Sequence, residues 1–392
     1  MSEVREDEDD GWEAEGKVAH PIELFFDLVY VFAFTRIVSL VVHDHNLESA
    51  LQGALLAGLF WWSWGTWTWT MNAVDLRDRF RRVLILASMG GIFLMGYAVP
   101  TAFSTDGIWL AVGYVFTRIL SSVVMWFGTL DDAVEHEAIR QFLPLSLIAP
   151  VLVIVGGVIG GSAMQWIWFV ALLVEVGSAL LAGNNEWHVD AEHFAERHGL
   201  IMIIALGEAI IAVGVALTAA AGDDAAISIE LAWRLGVGLL GVCVMWWAYF
   251  DKLQGIWETR LHQASVKEAG PIARDVYTLA HYPMILGIVF FAVALEEAFL
   301  HPVDPMTPFT RWMLVTSLVL YFGAQILANL RAWRVQMWER IIVLPLIALV
   351  VFAFDVKAEL MVVVVTVMLV IAMSTEYYRF RDEVRNNEAL RR

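Results

Sequence analysis

Long apolar runs separated by short polar segments recur along nearly the whole chain. Runs of about 18 or more apolar residues are typical of transmembrane helices, which cross about 30 Å of hydrocarbon at 1.5 Å per residue. We predict twelve spans, the last two of which are short enough to form a single re-entrant or broken pair instead. The predicted spans cover residues 22–42, 50–71, 82–103, 108–129, 142–160, 164–183, 199–219, 229–250, 278–299, 311–330, 341–354 and 358–375.

Lysine and arginine mark one side of the predicted bundle. Twenty of the 25 lie in the termini and the even-numbered loops, the odd-numbered loops hold only Lys357, and the other four lie in or at the edges of spans. Because cytoplasmic loops are enriched in these residues, both termini are predicted to be cytoplasmic. A miscounted early span would destroy this asymmetry, so the asymmetry also supports the even number of spans.

Short sequence echoes divide the chain into two similar halves, predicted over residues 20–192 and 193–378. Six spans per half give both halves the same orientation, and transporters with such repeats commonly bind substrate between them. Chance repetition in apolar helical sequence is the alternative. The echoes pair Leu59–Trp62 with Val244–Trp247, Arg77–Asp78 with Arg274–Asp275, Gly91–Ile92 and Ala102–Phe103 with Gly287–Ile288 and Ala298–Phe299, Trp126–Gly128 with Tyr321–Gly323, and Leu143–Leu145 with Leu344–Leu346.

Composition excludes a water-soluble enzyme. The chain is 59% hydrophobic and 17% charged, against about 45–50% and 25% in soluble domains. The single cysteine, Cys243, excludes an internal disulfide and a thiolate metal cluster built from one chain. The net charge of −17 argues against a nucleic-acid partner. Eight of residues 3–15 are Asp or Glu, so residues 1–19 are predicted to be a disordered acidic tail, and residues 379–392 a cytoplasmic C-terminal tail.

Charged side chains in the first span share one helix face. A charge inside hydrocarbon costs at least about 2.5–3.5 kcal/mol, so such groups usually pair or face a cavity. Glu23, Asp27 and Tyr30 lie at i, i+4 and i+7. Asp27 is a turn deeper than Glu23, which is alternatively an interfacial residue near the helix start. All three are candidates for carrying protons or binding substrate.

The seventh span places Arg197 near its start and Glu208 close to the middle of the membrane. Eleven residues separate them, about 16 Å along the helix, so the two side chains cannot touch. Glu208 therefore needs a partner from another helix or stays protonated, because an apolar site disfavours the carboxylate. Gly207 beside it is expected to allow close helix approach. Glu208 is a candidate proton carrier, and a neutral structural glutamate is the alternative.

Arg118 in the fourth span and Glu175 in the sixth also lie near mid-depth. The two side chains could pair, which would satisfy both charges without any function, or they could take part in a binding site. His281 lies one turn into the ninth span. It is a further candidate, although a lone histidine of this kind is more often a hydrogen-bonded core residue.

The second span carries a tryptophan-rich run over residues 60–69. It covers about 15 Å, which is deeper than one membrane interface. Some rings are therefore expected to line a cavity, where they could stack on a ligand or bind a cation. The sequence has no phosphate-binding glycine loop and no HExxH, GxSxG or CxxC motif, so we predict no catalytic residue, metal ligand or cofactor. The aromatic cavity candidates are Trp62, Trp64, Trp246 and Trp247.

These stretches together resemble the bacterial low temperature requirement A (LtrA) family of membrane proteins. Family members usually carry a DTDD-like run after the second span. Residues 75–78 of this chain read Asp-Leu-Arg-Asp and depart from it, so we assign that loop no cation-binding role. The resemblance implies a polytopic bacterial plasma-membrane protein and little chemistry. The residues that carry it are Glu23–Phe34, Arg82–Phe103, His193–Glu208, Trp246–Asp251 and His281–Pro283.

The leading hypothesis is an all-α membrane protein that acts as a proton-coupled secondary transporter of a small solute, with a midplane site between two halves. In it Glu208 and Asp27 carry protons, and Arg118 is a counter-charge or an anion site. A membrane-embedded enzyme or small-molecule sensor with a Trp-lined cavity is the runner-up, and a structural low-temperature or stress protein is the third hypothesis. The expected partners are the lipid bilayer and an unknown solute or ion. Convergence of Asp27, Arg118, Glu175 and Glu208 on one cavity would be the most informative observation.

Overall fold

The computed structural model describes residues 19–182, 187–222 and 226–390. The predicted acidic tail therefore lies outside the described residues, apart from Ala19. Across the described part the secondary structure is helical, and the single β-bridge joins Pro305 to Lys357. The prediction of an all-α polytopic membrane protein is confirmed.

Within the described residues, seven α-helices belong to the first predicted half and eight to the second. A 3-10 turn, Val99–Thr101, follows α3, and a π-helix, Ala273–Leu279, joins α11 to α12. The first-half helices are α1 (Pro21–Asp44), α2 (Leu47–Ala73), α3 (Arg79–Ala98), α4 (Gly107–Gly128), α5 (Ala133–Ser146), α6 (Ile148–Ile159) and α7 (Gly161–Ala182). The second-half helices are α8 (Ala191–Ala221), α9 (Ile229–Phe250), α10 (Leu253–His262), α11 (Val266–Ile272), α12 (Ala280–Leu300), α13 (Pro308–Trp333), α14 (Trp338–Ala353) and α15 (Ala358–Leu390).

Ten helical stretches of the described chain are long and apolar enough to cross a membrane. The helix α2 is not among them, although it has 27 residues, and α14 has only 16. The count of twelve crossings requires these two helices to cross as well and stays a prediction. The predicted boundary after residue 192 falls in the first turn of α8, and the predicted tail from residue 379 begins inside α15.

Two predicted spans differ visibly from the structure. The fifth begins earlier, at Ala133, because Asp132 caps a polar first turn that hydropathy does not detect, and it breaks between α5 and α6 at Leu147. The ninth extends back to Val266 through the π-helix. At the end of the chain α14 and α15 are separate helices, and α15 has 33 residues.

The same pairs of helices pack in both halves. The helix α1 packs on α2 and α3 as α8 packs on α9 and α12, and the α3–α4 and α4–α6 contacts correspond to α12–α13 and α13–α14. The echoed glycines have equivalent roles. A Cβ at Gly91 would lie 3.0 Å from the carbonyl oxygen of Gly113 in α4, and a Cβ at Gly287 would lie 2.7 Å from that of Ser317 in α13. These contacts agree with the predicted repeat, although the α2–α4 contact has no comparable α9–α13 counterpart among the described residues, and the repeat stays a prediction.

The two halves meet along α1, α2, α8 and α12. The helix α12 is central, with 16 of its 21 residues buried. We call the side of the bundle at which α1 begins the proximal side, and the side at which it ends the distal side. At the distal side His45 Nε2 lies 2.5 Å from Glu297 Oε1 near the end of α12. At the proximal side the Asn72 side chain donates to the carbonyl oxygen of His188 at 2.8 Å.

Candidate functional site

The first helices of the two halves, α1 and α8, pack side by side in the same direction. Glu23 lies opposite His193 and Asp27 lies opposite Arg197, so partner numbers rise together along both helices. Residues four apart share one helix face, which brings both pairs into the same contact. The α1–α8 seam is therefore where candidate charges of the two halves come together.

Local sequence fixes where both helices begin. In α1, Pro21 occupies the first turn, His20 Nδ1 accepts from the N–H of Ile22, and the N–H of His20 donates to Glu23 Oε2 at 2.7 Å. In α8, Asp190 accepts from the N–H of His193 at 3.0 Å. These caps satisfy backbone groups that the helix leaves free. They also set the rotation at which Glu23 and His193 meet.

Glu23, Asp27, His193 and Arg197 form what we call the acid–base cluster. His193 Nε2 lies 3.0 Å from Glu23 Oε1. Arg197 Nη2 donates to Asp27 Oδ1 at 2.9 Å, and Trp64 Nε1 of α2 donates to the same oxygen at 2.8 Å. Arg197 Nε lies 3.9 Å from Glu23 Oε1. All four side chains of the cluster are fully buried.

Arginine alone does not balance the charge of the acid–base cluster. Two carboxyl groups face one guanidinium, so neutrality requires one further proton, on His193 or on a carboxyl. An unbalanced charge is strongly unfavourable in an apolar interior. Within the described chain, Asp27 Oδ2, His193 Nδ1 and Arg197 Nε and Nη1 are buried without a hydrogen-bond partner. The cluster therefore has capacity to take up a proton or to bind a polar group.

Glu208 lies farther along the same seam, toward the distal side. Its partner comes from the other helix, since Thr35 Oγ1 donates to Glu208 Oε2 at 2.5 Å. Thr35 is eight residues beyond Asp27, about 12 Å along α1, so Glu208 is separate from the acid–base cluster. The expectation that Gly207 permits close helix approach is wrong, because a Cβ there would meet open space.

Arg118 and Glu175 form a second buried group, within the first half. Arg118 Nη2 lies 3.2 Å from both carboxylate oxygens of Glu175. The Tyr114 hydroxyl donates to Glu175 Oε1 at 2.7 Å. Arg118 also donates to the Thr66 hydroxyl and to the carbonyl oxygen of Ser146. The structure thus favours the interpretation of Arg118 and Glu175 as a buried ion pair that ties four helices together, although Arg118 Nε has no hydrogen-bond partner among the described residues.

The second half contains a counterpart that sequence reasoning missed. Arg340 of α14 donates to both carboxylate oxygens of Glu376 in α15, at 2.8 and 2.9 Å. It also donates to Gln325 of α13 and to the carbonyl oxygen of Ala248 in α9. Because the hydropathy pattern placed Arg340 in a loop, it was not a candidate. In each half a buried arginine therefore joins four helices, α2, α4, α5 and α7 through Arg118 and α9, α13, α14 and α15 through Arg340.

Tyr30 and His281 are fully buried but make no hydrogen bond to the acid–base cluster among the described residues. The Tyr30 hydroxyl lies 2.8 Å from Ser63 Oγ. His281 Nε2 lies 2.7 Å from the Tyr249 hydroxyl, and Nδ1 lies 3.1 Å from the carbonyl oxygen of Val276 in the π-helix. His281 is thus the hydrogen-bonded core histidine of the alternative interpretation.

The four tryptophans predicted to line a cavity have different surroundings. Trp62 lines a cavity of about 60 Å³, whereas Trp64 belongs with Asp27. Trp246 and Trp247 are about half exposed because their part of α9 faces outward. Trp246 stacks on Phe250, with ring centroids 5.3 Å apart, and its role as a cavity residue stays a prediction. Trp247 borders a small pocket of about 10 Å³.

The candidate charges therefore form three groups instead of one. Asp27 lies in the acid–base cluster, Glu208 lies farther along the same seam, and Arg118 with Glu175 lies inside the first half. Asp27, Arg118, Glu175 and Glu208 therefore do not converge on one of the cavities described here. What the halves share at their contact is a seam with carboxyl groups at two depths.

One group of side chains has spacing compatible with a metal ion. Donor atoms of Asp132, Glu135 and His188 lie within 4.8 Å of one another at the proximal side. Asp132 also caps α5, and hydrogen bonds from the backbone N–H groups of Glu135 and Val134 hold the pKa of Asp132 below its ordinary value. Exposed acidic groups at helix starts commonly have this arrangement without a metal, so we assign none.

Comparison with known proteins places the chain in a family. The family model for bacterial low temperature requirement A protein (LtrA) matches residues 18–374. An uncharacterized protein of Rhizobium meliloti (strain 1021) is 28% identical over 290 residues, which are 71% of this chain and 69% of that protein. A crystal structure of MATE in complex with Br-NRF aligns with 96% of this chain and 100% of that chain at 14% identity, with a TM-score of 0.23, which is too low to indicate a shared fold. The chain belongs to the bacterial low temperature requirement A family.

Proposed function

We propose that this protein is a proton-coupled secondary transporter of a small solute in the bacterial plasma membrane, with both termini in the cytoplasm. The observation that carries the proposal is the acid–base cluster, which is fully buried at the contact between the halves and has two carboxyl groups beside one guanidinium, so that its neutrality depends on one bound proton. In transporters built from two repeats, one half moves against the other around a site at their contact. A proton bound at this contact changes the charge between the halves and so couples protonation to their movement.

The seam also offers two proton-binding positions at different depths. Asp27 lies toward the proximal side, which is the cytoplasmic side in this proposal, and Glu208 lies about 12 Å farther along the seam. Each carboxyl has its hydrogen-bond partner on another helix. Movement of α1 against α8 therefore changes the environment of both carboxyl groups together.

The two buried arginine–glutamate pairs have a supporting role in the proposal. The Arg118–Glu175 pair lies within the first half and the Arg340–Glu376 pair within the second. Each pair fastens several helices of one half, so each half can move as a unit. Arg118 is then a structural residue, in place of the counter-charge or anion site that sequence reasoning suggested.

A pH step applied to the reconstituted protein tests the proposal without a known substrate. Proteoliposomes on a solid-supported membrane should show a transient charge displacement when pH is stepped across neutrality. Asp27→Asn and Glu208→Gln keep the side-chain shape and remove the proton-binding group, so each should reduce the displaced charge and the double variant should abolish it. Glu359→Gln is the matched control, because Glu359 pairs with Arg234 at 2.9 Å, away from the seam.

Two results would contradict the proposal. One is a wild-type protein that displaces no charge above that of protein-free liposomes. The other is a double Asp27→Asn, Glu208→Gln variant that displaces as much charge as the wild type and the Glu359→Gln control.

A further inference from the structure

Two cavities follow one face of α2. The distal cavity measures about 500 Å³ and the proximal cavity about 60 Å³. The distal cavity lies between α2, α7 and α12, and the proximal cavity lies among α2, α4, α5, α7 and the π-helix. Trp62 lines both. The α2 residues that line the distal cavity are Leu51, Gln52, Ala54, Leu55, Gly58 and Trp62, and those that line the proximal cavity are Trp62, Gly65, Thr66 and Trp69. Most of them are spaced by three or four residues along the helix, namely Leu51, Leu55, Gly58, Trp62, Gly65 and Trp69. This spacing of three and four residues describes a single helix face, so the cavities are one path interrupted at Trp62.

The distal cavity opens sideways toward the surroundings of the bundle. Its rim residues Leu51, Trp166 and Leu173 are 62%, 71% and 55% exposed, and in a membrane these side chains face hydrocarbon. No charged side chain lines the cavity among the described residues. Its polar groups are the amides of Gln52 and Gln165, near the distal ends of α2 and α7, and the hydroxyl of Tyr282, which already donates to the carbonyl oxygen of Ala54 at 2.8 Å.

The size and lining of the distal cavity define its occupant. Pockets for drug-sized molecules measure about 300–1,000 Å³ and are mostly apolar with a few polar groups. An occupant that enters through a hydrocarbon-facing opening and meets no charge must itself be uncharged and lipophilic. The proximal cavity is too small for the same molecule, since a volume of about 30 Å³ corresponds to one water in the liquid.

The second half borders the proximal cavity through Arg274 and Thr278 of the π-helix. Thr278 of the π-helix accepts from Trp69 Nε1 through its hydroxyl at 2.9 Å and from Trp61 Nε1 through its carbonyl oxygen at 2.8 Å. Helices of the π type frequently occur at functional sites. Displacement of the second half against α2 would break these contacts.

We infer that the distal cavity binds the transported solute, an uncharged lipophilic molecule of drug size taken from the distal half of the bilayer, and that Trp62 separates it from the proximal cavity. This inference rests on the proposed transport function. It assigns the substrate class and the binding site, neither of which follows from the acid–base cluster.

Photolabelling of the full-length protein in liposomes tests the assignment. The probe is trifluoromethyl iodophenyl diazirine, a small neutral lipophile, with excess biphenyl as competitor and peptide mapping by mass spectrometry. We expect labelling at the inward-facing Leu55 and Leu172 that biphenyl abolishes, and labelling at exposed apolar residues outside the cavity, such as Ile371 of α15, that biphenyl leaves unchanged.

Filling the distal cavity should remove the competed label. A Cβ at Gly58 would lie 2.6 Å from Leu172 Cδ1. In Gly58→Phe, the phenylalanine ring and the displaced Leu172 side chain should therefore occupy the cavity. Gly236→Phe is the matched control, because Gly236 is exposed on α9 and its Cβ meets open space. A second variant, Trp62→Ala, joins the cavities and should extend the competed label to Gly65 and Thr278.

Several results would overturn the inference. Labelling of Leu55 and Leu172 that biphenyl does not reduce would indicate a groove filled by membrane lipid. Equal loss of the competed label in Gly58→Phe and Gly236→Phe would show that the label does not come from the distal cavity. Absence of label at Gly65 and Thr278 in Trp62→Ala would show that Trp62 does not separate the two cavities. Because photolabelling needs no proton movement, its failure alongside normal charge displacement would reject this inference alone. Competed labelling without charge displacement would reject the proposed function and leave a ligand site.

Discussion

Removal of the Arg118 guanidinium should strand a buried carboxyl. In Arg118→Met, Glu175 keeps the hydrogen bond from Tyr114 at 2.7 Å but loses the guanidinium at 3.2 Å, and both charged residues are buried. Breaking a buried pair by removing one partner costs about 3–5 kcal/mol. We therefore expect the free energy of unfolding to fall by about 3–5 kcal/mol. The loss should be about 3 kcal/mol if Glu175 takes up a proton, because a neutral carboxyl is less unfavourable in an apolar interior.

The double variant separates pairing from general damage. Arg118→Met combined with Glu175→Gln leaves no buried charge, and Tyr114 can still donate to the amide oxygen. We expect a coupling free energy in the range of about 0.5–3 kcal/mol, so that the double variant is more stable than the sum of the single changes predicts. Reversible unfolding in mixed micelles, followed by tryptophan fluorescence, measures all four species.

An exposed pair provides the control for this cycle. Arg140 lies 3.1 Å from Glu137, and the two side chains are 66% and 48% exposed, so Arg140→Met should cost only about 0–1 kcal/mol. Strict additivity of the Arg118 and Glu175 changes, or a cost at Arg140 equal to that at Arg118, would refute the reasoning.

Three further predictions concern topology, capping and packing. A reporter active only in the cytoplasm should give signal when fused after Arg82 and none after Asp304, and signal at Asp304 would contradict the even span count. Asp132→Ala removes the cap of α5 and should cost about 0.5–2 kcal/mol. Because the N–H of Glu135 lowers the pKa of Asp132 in the fold, this contribution is present above the unfolded pKa and is lost as pH falls through the folded value; unfolding at neutral and acid pH should show the difference shrink. Gly287→Ala places a methyl group 2.7 Å from the α13 backbone and should destabilise by about 1–3 kcal/mol in the same assay.

The hydropathy pattern predicted the all-α membrane fold because lipid exposure imposes long apolar helices. It failed where charge is accommodated inside the protein. The hydropathy pattern places Arg340 in a loop, yet its side chain is buried, because Glu376 neutralises its charge. The start of α5 was missed for a related reason, since its polar first turn is set by the Asp132 cap and does not contribute to an apolar run.

The candidate site was predictable only in part. The need of Glu208 for a partner from another helix follows from sequence spacing, and Thr35 supplies it. The pairing of α1 with α8 was missed, although Glu23 with Asp27 and His193 with Arg197 are both spaced by four, and parallel repeats place equivalent helices in the same direction. Two acidic residues spaced by four on α1 and two basic residues spaced by four on α8 therefore indicate that these two helices are in contact. The direction in which each tryptophan ring points depends on helix rotation, which composition does not reveal.

The charge count of the acid–base cluster predicts how many protons each variant takes up. The wild type has two carboxyl groups and one guanidinium and needs one proton for neutrality. Asp27→Asn leaves one carboxyl and the guanidinium of Arg197, which need none. Arg197→Gln leaves two carboxyl groups, which need two. In the variant that combines Asp27→Asn with Arg197→Gln, Glu23 remains beside His193, and neutrality again requires one proton.

Arg197→Gln should therefore restore the proton uptake that Asp27→Asn removes, which a purely structural ion pair would not do. The measurement is the charge displaced per protein by a fixed pH step, with Glu208→Gln present throughout so that only the cluster contributes. We expect Arg197→Gln to displace the most charge and Asp27→Asn the least. The combined Asp27→Asn, Arg197→Gln variant should displace as much charge as the protein that carries Glu208→Gln alone. Size-exclusion profiles and melting curves check that each variant is folded, since burial of unpaired charge destabilises the protein. If the folded double variant displaces no more charge than Asp27→Asn, then neither Glu23 nor His193 accepts the proton, and neutrality of the buried cluster does not govern its protonation.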